Sequence, residues 1–422
     1  MKRILLTLVV SLIAANSFAQ ISLYYTLYQK KDFPGLTKQL NLKGEPASAA
    51  KQIFEAAIHS AYGRSDKAYQ ILEKAKDAGV LNDTLEYVAL TTRLEIAAQQ
   101  SDYKAAARAA TRRLNRFRSW IPEEKYKEEQ EAMRIYSFSM NVPPQSLNKS
   151  ADTRLELKKD LAGLMNVPVE LQDSTFNFVF DSGAGMSVIS ERYALDLKLK
   201  FVSDSTVEIK SGSTGVATTS RVAVAEKIRI GNMEVNNVLF LVFPDSALSF
   251  AGGRYIMKGI IGFPVIAAMG EITLSGQELY IPETIKKSKA TGNMILHDYM
   301  PVIYLKYRGV ELPFTFDTGA NTSSLSHNFY HRFQTDFADK GIARTQELHG
   351  VGGGSKKFEG IEMPNIQLQS AGSMLQLNNV FIMKEPFDAN GEIFYGNIGK
   401  DVIKGFKSIT ISFANGNILF NN

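Results

Sequence analysis

The chain has 422 residues, 45% of them hydrophobic and 22% charged, with 31 Gly and 13 Pro. That is the composition of a globular protein with room for two to three domains, and it excludes fibrous and disordered classes. The formal charge of +5 is carried before residue 150: residues 21–150 hold 20 Lys/Arg against 15 Asp/Glu, whereas residues 151–422 hold 26 against 28. No basic block is interleaved with aromatics, so nucleic acid is not an expected partner. Zero Cys excludes disulfides, thiolate metal sites, a cysteine nucleophile and an acylated membrane anchor.

Taken in chain order, residues 1–19 predict a signal peptide: Lys2 and Arg3, an apolar run Ile4–Ala15, then Ser17-Phe18-Ala19 as a small-x-small cleavage site. The apolar run is too short to span a bilayer, which needs about 20 residues, so no stable membrane anchor is expected and the mature chain is periplasmic or secreted. The aromatic run Leu23–Tyr28 is expected to dock on the body as a strand or helix. From Ala47 to about Tyr136 apolar residues recur at three and four (Ile53, Ala56, Ala57, then Tyr69, Leu72, Ala75), which predicts helices within a domain spanning 20–140. Turns at Gly63–Asp66 and Ser101-Asp102 each open an Ala-rich segment, giving two helix-turn-helix units 36 residues apart. They resemble tetratricopeptide repeats without most of that repeat's aromatic and Pro landmarks. Such units pack against a neighbour or receive a protein partner, and packing is the simpler expectation.

After Asn141-Val142-Pro143-Pro144 short β-branched and aromatic runs alternate with turns to the end of the sequence. Val167–Leu171 with Phe176–Phe180, and Val302–Tyr307 with Leu312–Phe316, predict hairpins. The Lys/Ser/Thr-rich stretch Pro282–Gly292 divides this region into lobes at 150–285 and 292–422. The lobes are copies. Phe178–Ala184 (FVFDSGA) matches Phe314–Ala320 (FTFDTGA), Ser187 matches Ser323, Gly259–Gly262 matches Gly396–Gly399, and Ile272–Ser275 matches Ile409–Ser412. From Asp181 to Gly262 is 81 residues and from Asp317 to Gly399 is 82, a register that chance does not hold. Each Asp ends an apolar strand and precedes a small-residue turn, so a pseudo-twofold would bring the two carboxylates face to face.

On these residues, from about 150 to 422, the sequence resembles the retropepsin-like aspartic proteases. The resemblance implies an α+β chain: an N-terminal helical, tetratricopeptide-like domain followed by two pseudo-twofold all-β lobes. It implies Asp181 and Asp317 as a catalytic dyad that activates water against a peptide carbonyl, with a polypeptide as substrate and no metal or cofactor. Ser182, Gly183, Thr318 and Gly319 would support the two loops, and Gly262 and Gly399 would lie beneath them. The Gly-rich tips with Gly212, Ser213 and Gly215, and with Gly350, Gly352 and Gly353, would be flaps. Ala184 and Ala320 stand where pepsins place a hydroxyl on the outer oxygen of each Asp, so neither outer oxygen is expected to have that donor. Both half-sites lie in one chain, so a monomer is expected. The alternative is a catalytically inactive peptide-binding or scaffold protein on the same fold. His327 and His331, at i and i+4, have no third ligand in view and read as a solvated helix face.

Overall fold

The computed structural model describes residues 19–41, 48–76, 81–212, 214–250, 253–288, 292–337, 340–370, 372–387 and 393–422. The predicted signal peptide lies outside them apart from Ala19, as does Ser213 of the first Gly-rich tip.

Among the described residues seven α-helices come first: α1 (19–29), α2 (Phe33–Leu40), α3 (Ala49–Ala61), α4 (Ser65–Lys76), α5 (Asp83–Gln99), α6 (Tyr103–Arg116) and α7 (Glu123–Phe138). The first six form three hairpins with one turn chemistry. A left-handed residue ends the leading helix (Lys31, φ 53°; Gly63, φ 71°; Ser101, φ 56°). The next N–H then reaches five residues back, Asp32 to Leu27, Arg64 to His59 and Asp102 to Ala97, at 2.8–2.9 Å, satisfying a helix-end carbonyl. Asp32 and Asp102 go on to cap the following helix through the N–H groups of Gly35 and Ala105. The helical region thus holds three such units where the turn residues predict two. Lys31 hides the first, because a lysine there gives no turn signal of the kind Gly63 and Ser101 give. Tyr69, assigned to the apolar face by spacing, is half exposed, while Leu72 and Ala75 beside it are buried. No described helix is long and apolar enough to cross a membrane.

The helices are not a separate body. Tyr24, Tyr28, Phe33 and Phe54 share a buried cluster with Ile295, Val302 and Tyr304 of the second β lobe, and the Tyr304 hydroxyl donates to the Lys31 carbonyl at 2.6 Å. The aromatic run at Leu23–Tyr28 is therefore a docking helix, with Tyr24 and Tyr28 each only 3% exposed.

Both β lobes repeat one arrangement. In the first, strand Ser174–Phe180 runs parallel to Gly259–Ile261, which pairs antiparallel with Ser187–Ser190, which in turn lies parallel to Met233–Phe243. In the second, Val310–Asp317, Gly396–Gly399, Ser324–Leu325 and Ser373–Met383 stand in the same relation. Each lead strand is entered through a two-residue hairpin turn, Gln172-Asp173 from Met165–Leu171 and Arg308-Gly309 from Met300–Tyr307. Arg308 and Gly309 both have positive φ (52° and 79°), the backbone such tight turns require. Phe178, Phe180, Phe314 and Phe316 are fully buried on one face and Val179 and Thr315 are buried on the other, so both lead strands are central strands covered on both sides. A five-stranded sheet joins the lobes, and at its centre Glu271–Ser275 pairs antiparallel with Ser408–Ser412. There Thr273 faces Thr410, its counterpart in the other copy, with the hydroxyls 3.0 Å apart. The pseudo-twofold passes between these two residues.

Candidate active site

The two lead strands deliver Asp181 and Asp317 to facing turns. In each turn the next two N–H groups fold back on the carboxylate: Gly183 and Ala184 donate to Asp181 Oδ1 at 2.8 and 3.1 Å, and Gly319 and Ala320 to Asp317 Oδ1 at 2.7 and 3.2 Å. Each carboxylate lies against the glycine of the opposite turn. A Cβ added to Gly183 would stand 2.5 Å from Asp317 Cγ, and one added to Gly319 would stand 2.4 Å from Asp181 Cγ. Any side chain at either position would push the opposing carboxylate away.

Ser182 and Thr318, both fully buried, cross-link the turns. The Thr318 hydroxyl accepts from the Ser182 N–H and donates to the Phe180 carbonyl, both at 2.9 Å. The Ser182 hydroxyl accepts from the Thr318 N–H and donates to the Phe316 carbonyl, both at 3.1 Å. Each hydroxyl therefore clamps the backbone of the other lobe. Beneath the turns, the Gly262 and Gly399 N–H groups donate to Ser187 and Ser323 Oγ at 3.1 and 3.0 Å. A Cβ on Gly262 would strike the Met186 backbone at 2.5 Å, and one on Gly399 the Thr322 backbone at 2.8 Å. Ser187 and Ser323 are visible in the sequence as a register match. Only the structure shows that they hold the glycine strands.

The electrostatics break the symmetry. Burial first, then the Asp317 charge and a hydrogen bond to its carboxyl, hold the Asp181 carboxyl protonated well above the usual carboxylate range. Besides the Gly319 and Ala320 N–H groups on Oδ1, Asp317 receives Asn397 Nδ2 on Oδ2 at 3.3 Å, and the Asn397 Oδ1 is taken by the Thr315 hydroxyl at 2.6 Å. Ala184 and Ala320 bring no hydroxyl to either outer oxygen, and in the second lobe the Asn397 amide supplies a donor instead. The first lobe has Ile260 at this position, and that one polar-for-apolar difference between the copies is the only trace of Asn397's role in the sequence. Lys400 follows Gly399, and its ammonium donates to the Gly163 carbonyl. Burial draws that ammonium below its ordinary value, Lys159 adds to the effect, and Asp160, Asp181 and Asp317 oppose it.

Above the turns, Gly212 and Gly215 sit at the tip of the hairpin formed by Val207–Lys210 and Ala217–Ile230. Gly350, Gly352 and Gly353 sit at the tip joining Ile342–His349 to Ser355–Ser370. The tips meet. Thr218 Oγ1 donates to the Gly352 carbonyl and the Gly352 N–H to the Ala247 carbonyl, both at 3.0 Å. Gly352, Gly353 and Gly354 all have positive φ, a run only glycine tolerates without strain. His327 and His331 meet edge to face, ring centroids 4.1 Å apart, on a short surface helix. No group of three or more His, Cys, Asp or Glu suited to a metal occurs among the described residues. A surface groove of about 550 Å³ lined by Glu170, Asp173, Lys198 and Arg229 shares no residue with the aspartate turns.

Residues 167–265, which hold the first aspartate turn and Gly262, match the family model of the aspartyl proteases. No curated protein matches the chain. Among solved structures, a retropepsin-like aspartic protease from Rickettsia conorii matches with 12% identity and a TM-score of 0.22, over 32% of this chain and 92% of its own. Residues 167–265 are thus similar to an aspartyl protease domain, and the second lobe repeats the first's strand order around Asp317-Thr318-Gly319, so the β region is built as two copies of one such lobe.

Proposed function

We propose that this chain is an exported aspartic endopeptidase, periplasmic or secreted, that hydrolyses polypeptides with a water activated between Asp181 and Asp317. The observation that carries the reading is the mutual placement of the two carboxylates, each against the other's glycine, with one proton held at Asp181. Two like charges in contact do not both ionise, so the protonated member polarises the peptide carbonyl while the other accepts the water's proton. This shared-proton logic is that of aspartic proteases in general. The product of attack is a tetrahedral diol, with no covalent enzyme intermediate and no cofactor in the reaction. The meeting flap tips supply a roof that can exclude bulk water. Both half-sites come from one chain, so the active species is a monomer.

The mature protein should cleave an unfolded polypeptide, and pepstatin should abolish the cleavage. Failure to cleave any member of a mixed peptide library between pH 3 and 8 would leave the inactive peptide-binding alternative. Asn397 provides a second check. A donor to an ionised carboxylate lowers the pKa of the pair, so Asn397→Ile, which installs the first lobe's residue, should move the acidic limb of the kcat/KM profile to higher pH. An unmoved limb would show that the amide does not act on the dyad.

A further inference from the structure

The floor of the site ends differently on its two sides. Past each aspartate turn the chain meets a hairpin tip from the opposite lobe. Beyond Asp317, Asn321 Nδ2 donates to the Ala162 carbonyl at 3.1 Å, within the tip joining Lys158–Lys159 to Met165–Leu171. Beyond Asp181, a Cβ on Gly185 would stand 3.5 Å from the Tyr299 Cβ, in the tip joining Met294–His297 to Met300–Tyr307. These two tips mark the places where an extended polypeptide held between turns and flaps has to leave.

Helix α7 stands at only one of them. At the Tyr299 tip, the Tyr136 hydroxyl lies 3.1 Å from the Tyr299 hydroxyl, and Lys125 Nζ is 3.8 Å from Asp298. The same helix reaches up to the flap and covers the free edge of its strand Val207–Lys210. Glu131 accepts the Glu208 N–H at 2.9 Å, Arg134 donates to the Thr206 carbonyl at 2.7 Å, and Lys210 pairs with Glu124 and Glu128 at 3.0 and 3.5 Å. Floor and roof are thus both fastened to α7. At the opposite tip Leu161 is 82% exposed, and the corresponding flap strand Ile342–His349 is mostly exposed along its length, Ile342 at 69%.

We infer that the helical region walls off one end of the substrate cleft, so that the enzyme acts near one terminus of a peptide and extends its substrate freely in one direction only. This rests on the peptidase reading above and narrows its substrate class to short peptides and accessible chain ends. Gly185 is four residues from Asp181, at most about 13 Å even for extended chain, so no more than about four substrate residues fit between the dyad and the Tyr299 tip.

A ladder of peptides around one cleavable bond, lengthened one residue at a time on the amino or the carboxyl side, tests this with the intact protein. Lengthening one side should leave kcat/KM unchanged within about twofold, and lengthening the other beyond about four residues should lower it at least tenfold. Equal tolerance of eight or more residues on both sides would overturn the inference while leaving the peptidase reading standing. Cleavage of no member of the ladder would remove both.

Discussion

Asp181→Asn and Asp317→Asn should each lower kcat/KM at least about a thousandfold, ~4 kcal/mol of transition-state stabilisation, and the double variant should lose little more. The turns bring the carboxylates together so that one proton serves both, and a group that works as a unit fails as a unit. Retention of more than about a tenth of wild-type kcat/KM by either single variant would contradict a shared dyad. The same substitution should have the opposite effect on stability. Because the Asp181 carboxyl is held above its ordinary range in the folded chain, the native state binds a proton that the unfolded chain releases above about pH 3.9. That contribution is fully present below pH 3.9 and is lost as pH rises through the folded value. Asn carries no charge at any pH and escapes the loss. Calorimetry should therefore find Asp181→Asn close to wild type at pH 4 and more stable than wild type at pH 8. An identical difference at both pH values would mean that the buried pair does not hold the proton.

The parts of the site that could be read in the sequence are those where chemistry leaves one residue choice. Only glycine fits beneath a facing carboxylate, which is why Gly183 and Gly319 accompany the two Asp in both copies. Buried turns with unpaired backbone groups call for small hydroxyls, which Ser182 and Thr318 provide. Duplication turned two weak triplets into one strong pattern. The remainder depends on packing that periodicity does not encode. Spacing put Tyr69 on the apolar face, yet that ring points half into solvent while Tyr24 and Tyr28, outside any recognised repeat, are buried against Phe54. The amphipathic pattern of the helices says that a face is covered without saying by what, so their placement across both lobes, and α7 against one flap, was not legible. Asn397 was hidden because its value lies in one hydrogen bond across the sheet, from a segment that reads as an ordinary apolar-glycine strand.

Thr318→Val and Ser182→Ala should each destabilise the protein by ~2–6 kcal/mol, because each strands a buried N–H and a buried carbonyl at ~1–3 kcal/mol apiece. The damage should cross the pseudo-twofold. The Thr318 hydroxyl serves only the backbone of Ser182 and Phe180, and the Ser182 hydroxyl only that of Thr318 and Phe316. Removing Thr318 Oγ1 therefore frees the Asp181 turn while its own turn keeps both bonds from Ser182. Amide exchange should quicken at Ser182 in Thr318→Val and at Thr318 in Ser182→Ala. Catalysis should fall along with stability, since a dyad needs its groups held within about 0.5 Å, and a turn with a free backbone does not hold its carboxylate against the opposite glycine. Thr318→Ser keeps the hydroxyl and should restore both stability and rate, which separates the hydrogen bonds from the volume of the side chain. If Thr318→Val melts with the wild type, or exchange quickens at residue 318 rather than 182, the cross-lobe clamp is not what aligns the two aspartates.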